Sequence, residues 1–285
     1  MPDDITPPDA DALARPEFRP DPSLSHSEME TLQRELAATA VFADDGAPDP
    51  EAVAVADAFD LTAELPPARP DAADSDAPTI VGIDQAFRLD AEEAVSAAVA
   101  VRDGEVVEYA HAVTPLRIPY IPGLLAFREG EPILDALAAL SADPDLLVLD
   151  GSGRIHFREA GIATHGGVLH DVPAVGVAKS LLCGEPDDST DGRPEGWRTP
   201  IRADESVETA EPGTVIGHAF QSRQYPNSRR INPLYVSPGH RVSAETTVAL
   251  VSALCAGYKL PEPTRLADAY AGAVKRGELA ASDAD

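Results

Sequence analysis

From Pro78 onward the apolar residues fall into short runs of recognisable period. The first, "TIVGIDQAF", is a β-branched run that ends on a carboxylate, Asp84, as expected of a strand that delivers a charge to a sheet edge. "AVSAAVAVRDGEVVEYAHAV" is two apolar runs split by Asp103-Gly104, which predicts a hairpin. A helix is predicted over "EPILDALAALSADP", with Pro132 in its first turn and Ile133, Leu134, Leu137 and Leu140 along one face. "DLLVLDGSG" is apolar throughout and runs into a glycine turn after Asp150, the pattern of a strand buried on both faces. A second helix–strand unit follows through "AGIATHGGVLHDVPAVGVAKSLL", and "SAETTVALVSALCAG" reads as a helix with Ser243 as N-cap and Gly257 as stop. Consecutive strands followed by alternating helices and strands indicate an α/β fold with a mixed central sheet.

The chain before this region is different. Residues 1–76 carry 19 acidic and 4 basic residues and eleven prolines. They read as an acidic, Pro-rich extension with one helix near residues 25–42, opened by Ser25 with Glu28 or Ser27 with Glu30 as a capping box. The stretch after that helix, "ADDGAPDPEAVAVADAFDLTAELPPARPDAADSDA", has the composition of a solvated acidic linker. The division expected is therefore an extension over 1–76, an α/β domain over 77–275 and a short acidic tail over 276–285.

Composition narrows the setting. No run approaches the ~18–20 consecutive apolar residues that cross a bilayer, and the acidic N-terminus is unlike a signal peptide. Cys183 and Cys255 are the only cysteines and lie far apart, so neither a disulfide framework nor a cysteine zinc site is indicated. A reduced, cytoplasmic location is expected, with no membrane partner. Net charge is −27, and the only lysines are Lys179, Lys259 and Lys275. With 44% apolar residues the chain is not a disordered acidic protein; a dense acidic surface suited to high salt fits better.

Asp84 and Asp150 each end an apolar strand. A single aspartate there is an ordinary turn or capping residue. Two on neighbouring strands repel each other and call for a cation. Glu129 is a candidate third ligand, and His240, just before the last long helix, a candidate to reach the same sheet edge. Hard oxygen donors point to Mg²⁺ or Mn²⁺ rather than zinc. His156, His165 and His170 have no common zinc spacing and suit backbone bonding or helix packing. The stretch "IPYIPGLLAFRE" holds Tyr120 between Pro119 and Pro122, nine residues before Glu129. Its stiff backbone either packs the ring on the core or holds it out against a partner. Acids are also missing between Glu108 and Glu129, between Asp171 and Glu185, and from Pro212 to Ala244. Keeping these candidate-site segments free of acid is what binding to a polyanion requires.

Six ordered segments, "VGIDQAF", "PYIPGLLAFRE", "LLVLDGSGRIH", "GIATHGGVLHDVPAVGVAKSLLCG", "NPLYVSPGHRVS" and "LPEPTRLADAY", resemble endonuclease V, the deoxyinosine 3′ endonuclease. The resemblance covers about residues 78–272 and the helix near 25–42. It implies a ribonuclease-H-like sheet flanked by helices. It also implies Mg²⁺-dependent nicking, with Mn²⁺ as substitute, at the second phosphodiester bond 3′ to an inosine in DNA. Carried over, Asp84, Glu129, Asp150 and His240 are catalytic, with Asp84, Asp150 and Glu129 as metal ligands and Lys179 near the scissile phosphate. Pro119, Tyr120, Ile121 and Pro122 form a DNA wedge. Gly123, Leu125, Gly151 and Gly161 line the base pocket, and Arg128, His156 and Arg241 contact phosphates. A monomer acting on deoxyinosine DNA is expected, with inosine RNA as the alternative substrate.

Two departures stand out from the family pattern. Its His-Pro-Arg-Arg is His156-Phe157-Arg158-Glu159 here, and the Val-Ser that often follows the first aspartate is Gln85-Ala86. An actin-like kinase shares the opening "GID", but Gln85-Ala86-Phe87 lacks the small or hydroxyl residues that hold phosphate there. A catalytically silent nucleic-acid-binding module would have no need of all four candidate catalytic residues.

The charge carries a testable consequence. Nucleic-acid binding ordinarily weakens as salt rises, because neutralised phosphates release counterions. A surface at −27 instead repels DNA, and itself, at low salt. At molar KCl the Debye length is ~3 Å and distant acids no longer oppose approach. Activity is therefore expected to climb toward an optimum at high KCl. A maximum near about 50 mM salt with steady loss above it would overturn this expectation.

Overall fold

The computed structural model describes residues 13–62, 64–70 and 75–279. The start of the acidic extension and most of the acidic tail expected from the sequence lie outside these. Strands β1 (Ile80–Arg88), β2 (Glu93–Arg102) and β3 (Glu105–Pro115) form an antiparallel meander. Asp103 and Gly104 make the predicted β2–β3 turn with φ of 51° and 74°, the combination that follows strand twist. Strand β4 (Leu146–Asp150) pairs parallel to β1, and β5 (Ala174–Ala178) parallel to β4. Beyond β5 the sheet is antiparallel, through β9 (Leu234–His240), β8 (Val215–Phe220), β7 (Arg198–Arg202) and the short β6 (Glu185–Pro186). The spatial order is β3-β2-β1-β4-β5-β9-β8-β7-β6. Its β3-β2-β1-β4-β5 half is the ribonuclease-H-like arrangement.

Both faces of the sheet are covered, which is why its central strands carry almost no polar residue. Helices α2 (Leu125–Ala138) and α3 (Ile162–His170) cover one face, where Val81, Ile83, Leu147 and Leu149 meet Ile133, Ala136, Ile162 and Ala163. Helix α4 (Ala244–Leu254) covers the other under β5, β9 and β8, against Val148, Val175, Val177 and Val236. Helix α5 (Glu262–Arg276) completes that face under β1 and β2. Gly82 lets α5 approach closely: a Cβ there would sit 2.1 Å from the Pro263 carbonyl carbon. Among the described residues no helix is long and apolar enough to cross a membrane.

Three elements depart from expectation. Helix α2 begins six residues before the predicted start, so Pro132 lies in its interior and leaves the Arg128 carbonyl without its intrahelical donor. The apolar residues Ala126 and Phe127 extend the buried face backward and carry the helix through the proline. Ser243 caps α4 as predicted, accepting from the Thr246 amide at 3.1 Å, but the helix stops at Leu254, before Gly257.

The supposed solvated linker is the third departure, for it lies along the domain. Val53 is buried against the sheet, and Phe59 and Leu61 pack on the α5 cluster. Asp44 accepts from the Ser243 amide at 2.7 Å and the Thr246 hydroxyl at 2.8 Å, so a side chain from the segment joins the cap of α4. Sparse apolar residues among many acids hid this packing. The leading helix α1 (His26–Thr39) has the Ser25–Glu28 capping box and buries Met29, Gln33 and Leu36.

Candidate active site

The register Ile83 with Leu149 makes Asp84 and Asp150 the next side-by-side positions on β1 and β4. Their strands lie ~4.8 Å apart, and both carboxylates line one cavity at this edge of the sheet. Asp84 is buried; Oδ1 accepts from the Gln85 amide at 2.6 Å, while Oδ2 has no hydrogen-bond partner. Burial and the neighbouring Asp150 push its pKa from 3.8 to about 8, against the pull of Lys179. Lys179, the residue directly after β5, donates from Nζ to Asp150 Oδ2 at 2.6 Å. Burial opposes the charge on Lys179, yet Asp150 and Asp84 hold its pKa above the ordinary value.

Glu129 faces the same cavity from α2. Its Oε1 accepts from Arg128 at 2.6 Å, and burial nevertheless raises its pKa to about 7. Arg128 also lies 4.8 Å from the centre of the Phe87 ring. This guanidinium is therefore committed within the protein, at the position where a phosphate contact was expected. The cavity encloses about 310 Å³ and is lined by Asp84, Asp150, Glu129, Lys179, Tyr120 and Gly151, among others. A smaller adjoining cavity of about 60 Å³ is lined by Gly123, Leu125, Gly161, His156 and again Tyr120. A cleft of about 460 Å³ lined by Leu61, Glu64, Leu65 and the end of α5 is larger, but it shares no lining residue with the acidic cavity.

Tyr120 is 64% exposed, while Ile118 and Ile121 pack on Met29, Leu124 and Phe127. The isoleucines anchor the loop and the ring stands out at the rim of both cavities, so the core-packed tyrosine is excluded. The loop ends on Gly123, at φ +80°, where a side chain would be strained. Its carbonyl receives Gln33 Nε2 at 2.8 Å, His156 Nε2 at 3.1 Å and Arg158 Nη2 at 3.4 Å. Arg158 is itself held by Gln33 Oε1 at 2.7 Å and by Glu30 and Glu208, each at 3.1 Å. A buried clamp reaching back to α1 thus fixes the base of the projecting loop.

Two predicted site residues are elsewhere. Strand β9 runs antiparallel to β5, so His240 pairs with Ala174 at the start of β5, while Asp150 pairs with Val177 near its end. His240 is buried at the opposite edge, where Nε2 meets Asp171 at 3.1 Å and Nδ1 accepts from the Val41 amide at 3.1 Å. Burial lowers its pKa despite Asp171. Arg241 is at that same edge, paired with Asp171 at 2.9 Å and Asp45 at 3.0 Å, and is no phosphate contact of this site. His156 does lie beside the smaller cavity, but burial and Arg158 lower its pKa to about 4. As a neutral ring bonded to Gly123 it serves the clamp rather than a phosphate. Glu159, the departure from the family pattern, pairs with Arg154 at 2.7 Å.

Sequence reasoning overlooked Asp268 on α5, whose charge bears on both Asp84 and Lys179. It also overlooked Gln33, although a polar residue four positions from Met29 and three from Leu36, on a buried stripe, was a readable signal. Among the described residues no three His, Cys, Asp or Glu side chains converge as a complete metal cage. The Asp84–Asp150 pair still suits a hard divalent cation. It offers oxygen donors, one of them buried and unpartnered, and Mg²⁺ is commonly held by one or two carboxylates with substrate phosphate completing the shell.

A carboxylate pair and a lysine at the carboxyl edge of a ribonuclease-H-like sheet, beside a projecting aromatic, define a nuclease. The family profile of endonuclease V matches residues 67–269. Endonuclease V of Natronomonas pharaonis is 59% identical over 263 residues, covering 92% of this chain and 97% of that one. The crystal structure of endonuclease V from Streptomyces avermitilis superposes with a TM-score of 0.67 at 31% identity, covering 90% of this chain and 95% of that one. That of Ciona intestinalis endonuclease V, in complex with a DNA containing an inosine followed by a ribo-adenosine, gives 0.65 at 26% identity, covering 89% and 98%. This chain belongs to the endonuclease V family.

The raised pKa of Asp84 has a sign that can be checked. A folded pKa near 8 against 3.8 unfolded means that ionising Asp84 opposes folding. The penalty is absent below the unfolded value and complete above the folded one. In metal-free protein, Asp84→Asn is therefore expected to stabilise relative to wild type, by an amount that grows from about pH 4 to about pH 8. Added Mg²⁺ should raise the melting temperature of wild type, more at high pH, and leave Asp84→Asn unmoved. A pH-independent difference in chelator would contradict the assignment.

Proposed function

We propose that this protein is a DNA repair endonuclease that recognises deoxyinosine and nicks the strand at the second phosphodiester bond 3′ to it, leaving 3′-hydroxyl and 5′-phosphate ends. The observation that carries the reading is the exposed, braced Tyr120 at the rim shared by the acidic cavity and the smaller glycine-lined one. A base leaving the stack costs a few kcal/mol, and a fixed aromatic ring can replace part of that stacking, roughly 1–3 kcal/mol. Pro119 and Pro122 limit the entropy the loop loses on insertion, and Ile121 ties it to the core. The extruded hypoxanthine would enter between Gly123, Leu125, Gly151 and Gly161. At Gly161 a Cβ would lie 2.2 Å from the Ser152 carbonyl, so only glycine permits this close backbone approach. Guanine carries a 2-amino group that hypoxanthine lacks, and a tight pocket excludes it.

At the scissile bond, Asp84 and Asp150 would hold Mg²⁺, with Mn²⁺ as substitute. When bound, the cation supplies charge stabilisation to the phosphate and acidifies water. Lys179 is placed to move from Asp150 to a phosphate oxygen as substrate enters. Glu129, with a pKa near neutrality, is suited to take the proton of the attacking water. Water forms the new bond to phosphorus, and the 3′-oxygen leaves and is protonated. Inosine in RNA is the second reading, favoured by the ribo-adenosine in the Ciona complex.

Matched DNA and RNA oligonucleotides with one inosine, assayed at high KCl with Mg²⁺, test the reading. A single nick in the DNA is expected; cleavage of RNA alone, or of neither, would refute it. Asp150→Asn is expected to abolish nicking while leaving binding to inosine DNA largely intact; wild-type turnover would exclude Asp150 from the metal site. Tyr120→Ala is expected to slow lesion capture about tenfold, the kinetic equivalent of ~1–3 kcal/mol of stacking. Wild-type discrimination in that variant would remove the wedge role.

A further inference from the structure

The β8–β9 loop, residues 221–233, leaves the sheet at the same edge as the acidic pair, because Tyr235, the second residue of β9, pairs with Ala178 at the end of β5. Two buried glutamines brace it. Gln221 donates through Nε2 to the carbonyls of Arg223 and Ile231 at 2.8 and 2.9 Å. Gln224 donates to those of Arg193 and Ile231 at 3.0 and 3.2 Å, and its Oε1 accepts from the Tyr225 and Ile231 amides. A loop framed this way loses little freedom on binding. On its outside it carries Tyr225, 53% exposed, next to Pro226, and the exposed pair Arg229 and Arg230.

Most arginines of this acidic protein are paired with a carboxylate. Arg223 follows that pattern, pairing with Glu195 at 3.4 Å. Arg229 instead donates to the Gly192 carbonyl at 2.9 Å, and Arg230 has no ion pair or hydrogen bond among the described residues. At a net charge of −27, leaving two adjacent exposed cations without a carboxylate is costly to explain as a plain solvated face. The loop is also joined to the catalytic cation. Ser222 Oγ donates to the Lys259 carbonyl at 2.6 Å, and the Lys259 ammonium, partly buried, feels Lys179 as a like charge. Positive charge therefore runs from Lys179 through Lys259 to the loop.

We propose that the 221–233 loop is a second DNA-contacting surface, which holds the phosphate backbone of the duplex flanking the nicked bond through Arg229 and Arg230, with Tyr225 against a sugar or base. The inference rests on the deoxyinosine-DNA reading of the site. Tyr225 lies three residues beyond Ser222, at most about 10 Å of chain, or about three base steps at 3.4 Å. Because the loop leaves the sheet at the edge that carries the acidic pair, the contact is placed on duplex near the nicked bond.

Binding is measured in the Asp150→Asn background at high KCl, with Arg229→Ala/Arg230→Ala, Arg230→Ala and Tyr225→Ala. Three inosine duplexes are compared: one with about 12 base pairs on each side, and two trimmed to about two base pairs on one side or the other, which bracket the predicted reach. On the long duplex the double variant is expected to lose about tenfold in affinity, with a salt slope flatter by about 0.9 per lost phosphate contact. On one trimmed duplex it should bind as its parent does. Equal affinity on the long duplex, or an equal loss on all three, overturns the proposal; so does a loss seen only with inosine RNA. Arg230→Ala removes no contact of the fold, so an unchanged melting temperature with lost affinity separates binding from folding. Wild-type protein that neither nicks nor prefers inosine DNA defeats the parent reading, whereas normal nicking with unaffected variants defeats the loop alone.

Discussion

The repulsion between Asp84 and Asp150 is the constraint around which this structure is arranged. The parallel pairing of β1 with β4 forces the two carboxylates into adjacent register at a buried edge. Neither can move away without breaking the sheet, so the conflict must be relieved from outside. Lys179 relieves part of it by binding Asp150, and the unpartnered oxygen of Asp84 marks what remains. Helix α5 adds Asp268 to the same field, sharpening the demand for positive charge. A divalent cation with a phosphate answers that demand.

Around this centre the protein separates rigidity from exposure. Tyr120 and Tyr225 are both displayed to solvent beside prolines, and both loops are braced from within by buried amide side chains. In the first, Gln33, His156 and Arg158 converge on one carbonyl; in the second, Gln221 and Gln224 share the carbonyl of Ile231. Buried, hydrogen-bonded polar groups fix loop geometry, whereas an apolar anchor tolerates sliding. Exposed rings held this way can meet a flat base or sugar at little entropic cost.

Much of this was legible in the sequence because its physics is local. Strand period, the Asp103-Gly104 turn, the Ser243 cap and the end of β4 at Asp150 are set by neighbours within a few residues. Pairing with β2, by contrast, carries β1 on to Arg88 and leaves Asp84 in mid-strand rather than at the strand end expected. The misreadings of the site concern distance along the chain. His240 and Arg241 follow an apolar strand just as Asp150 does, but only the antiparallel sense of β9 reveals that they face the other edge. The clamp on Gly123 joins residues 33, 123, 156 and 158, which no spacing rule connects. Proline favours the first turn of a helix, but burial of Ala126 and Phe127 starts α2 earlier and leaves Pro132 in its interior.

The way the N-terminal segment lies on the domain bears on how the chain folds during synthesis. Val41 bonds to His240, Asp44 to Ser243, Val55 to Ala253, and Phe59 to Glu262. Residues 41–59 therefore close onto residues 240–262, across about two hundred residues whose loop entropy must be lost before these contacts form. Such high contact order slows folding. Strand β9 and helices α4 and α5 are made about two hundred residues after that segment, so the apolar face they cover stays open until they have emerged. The acidic segment that later seals it is made first, keeping the waiting chain charged while its core is unfinished.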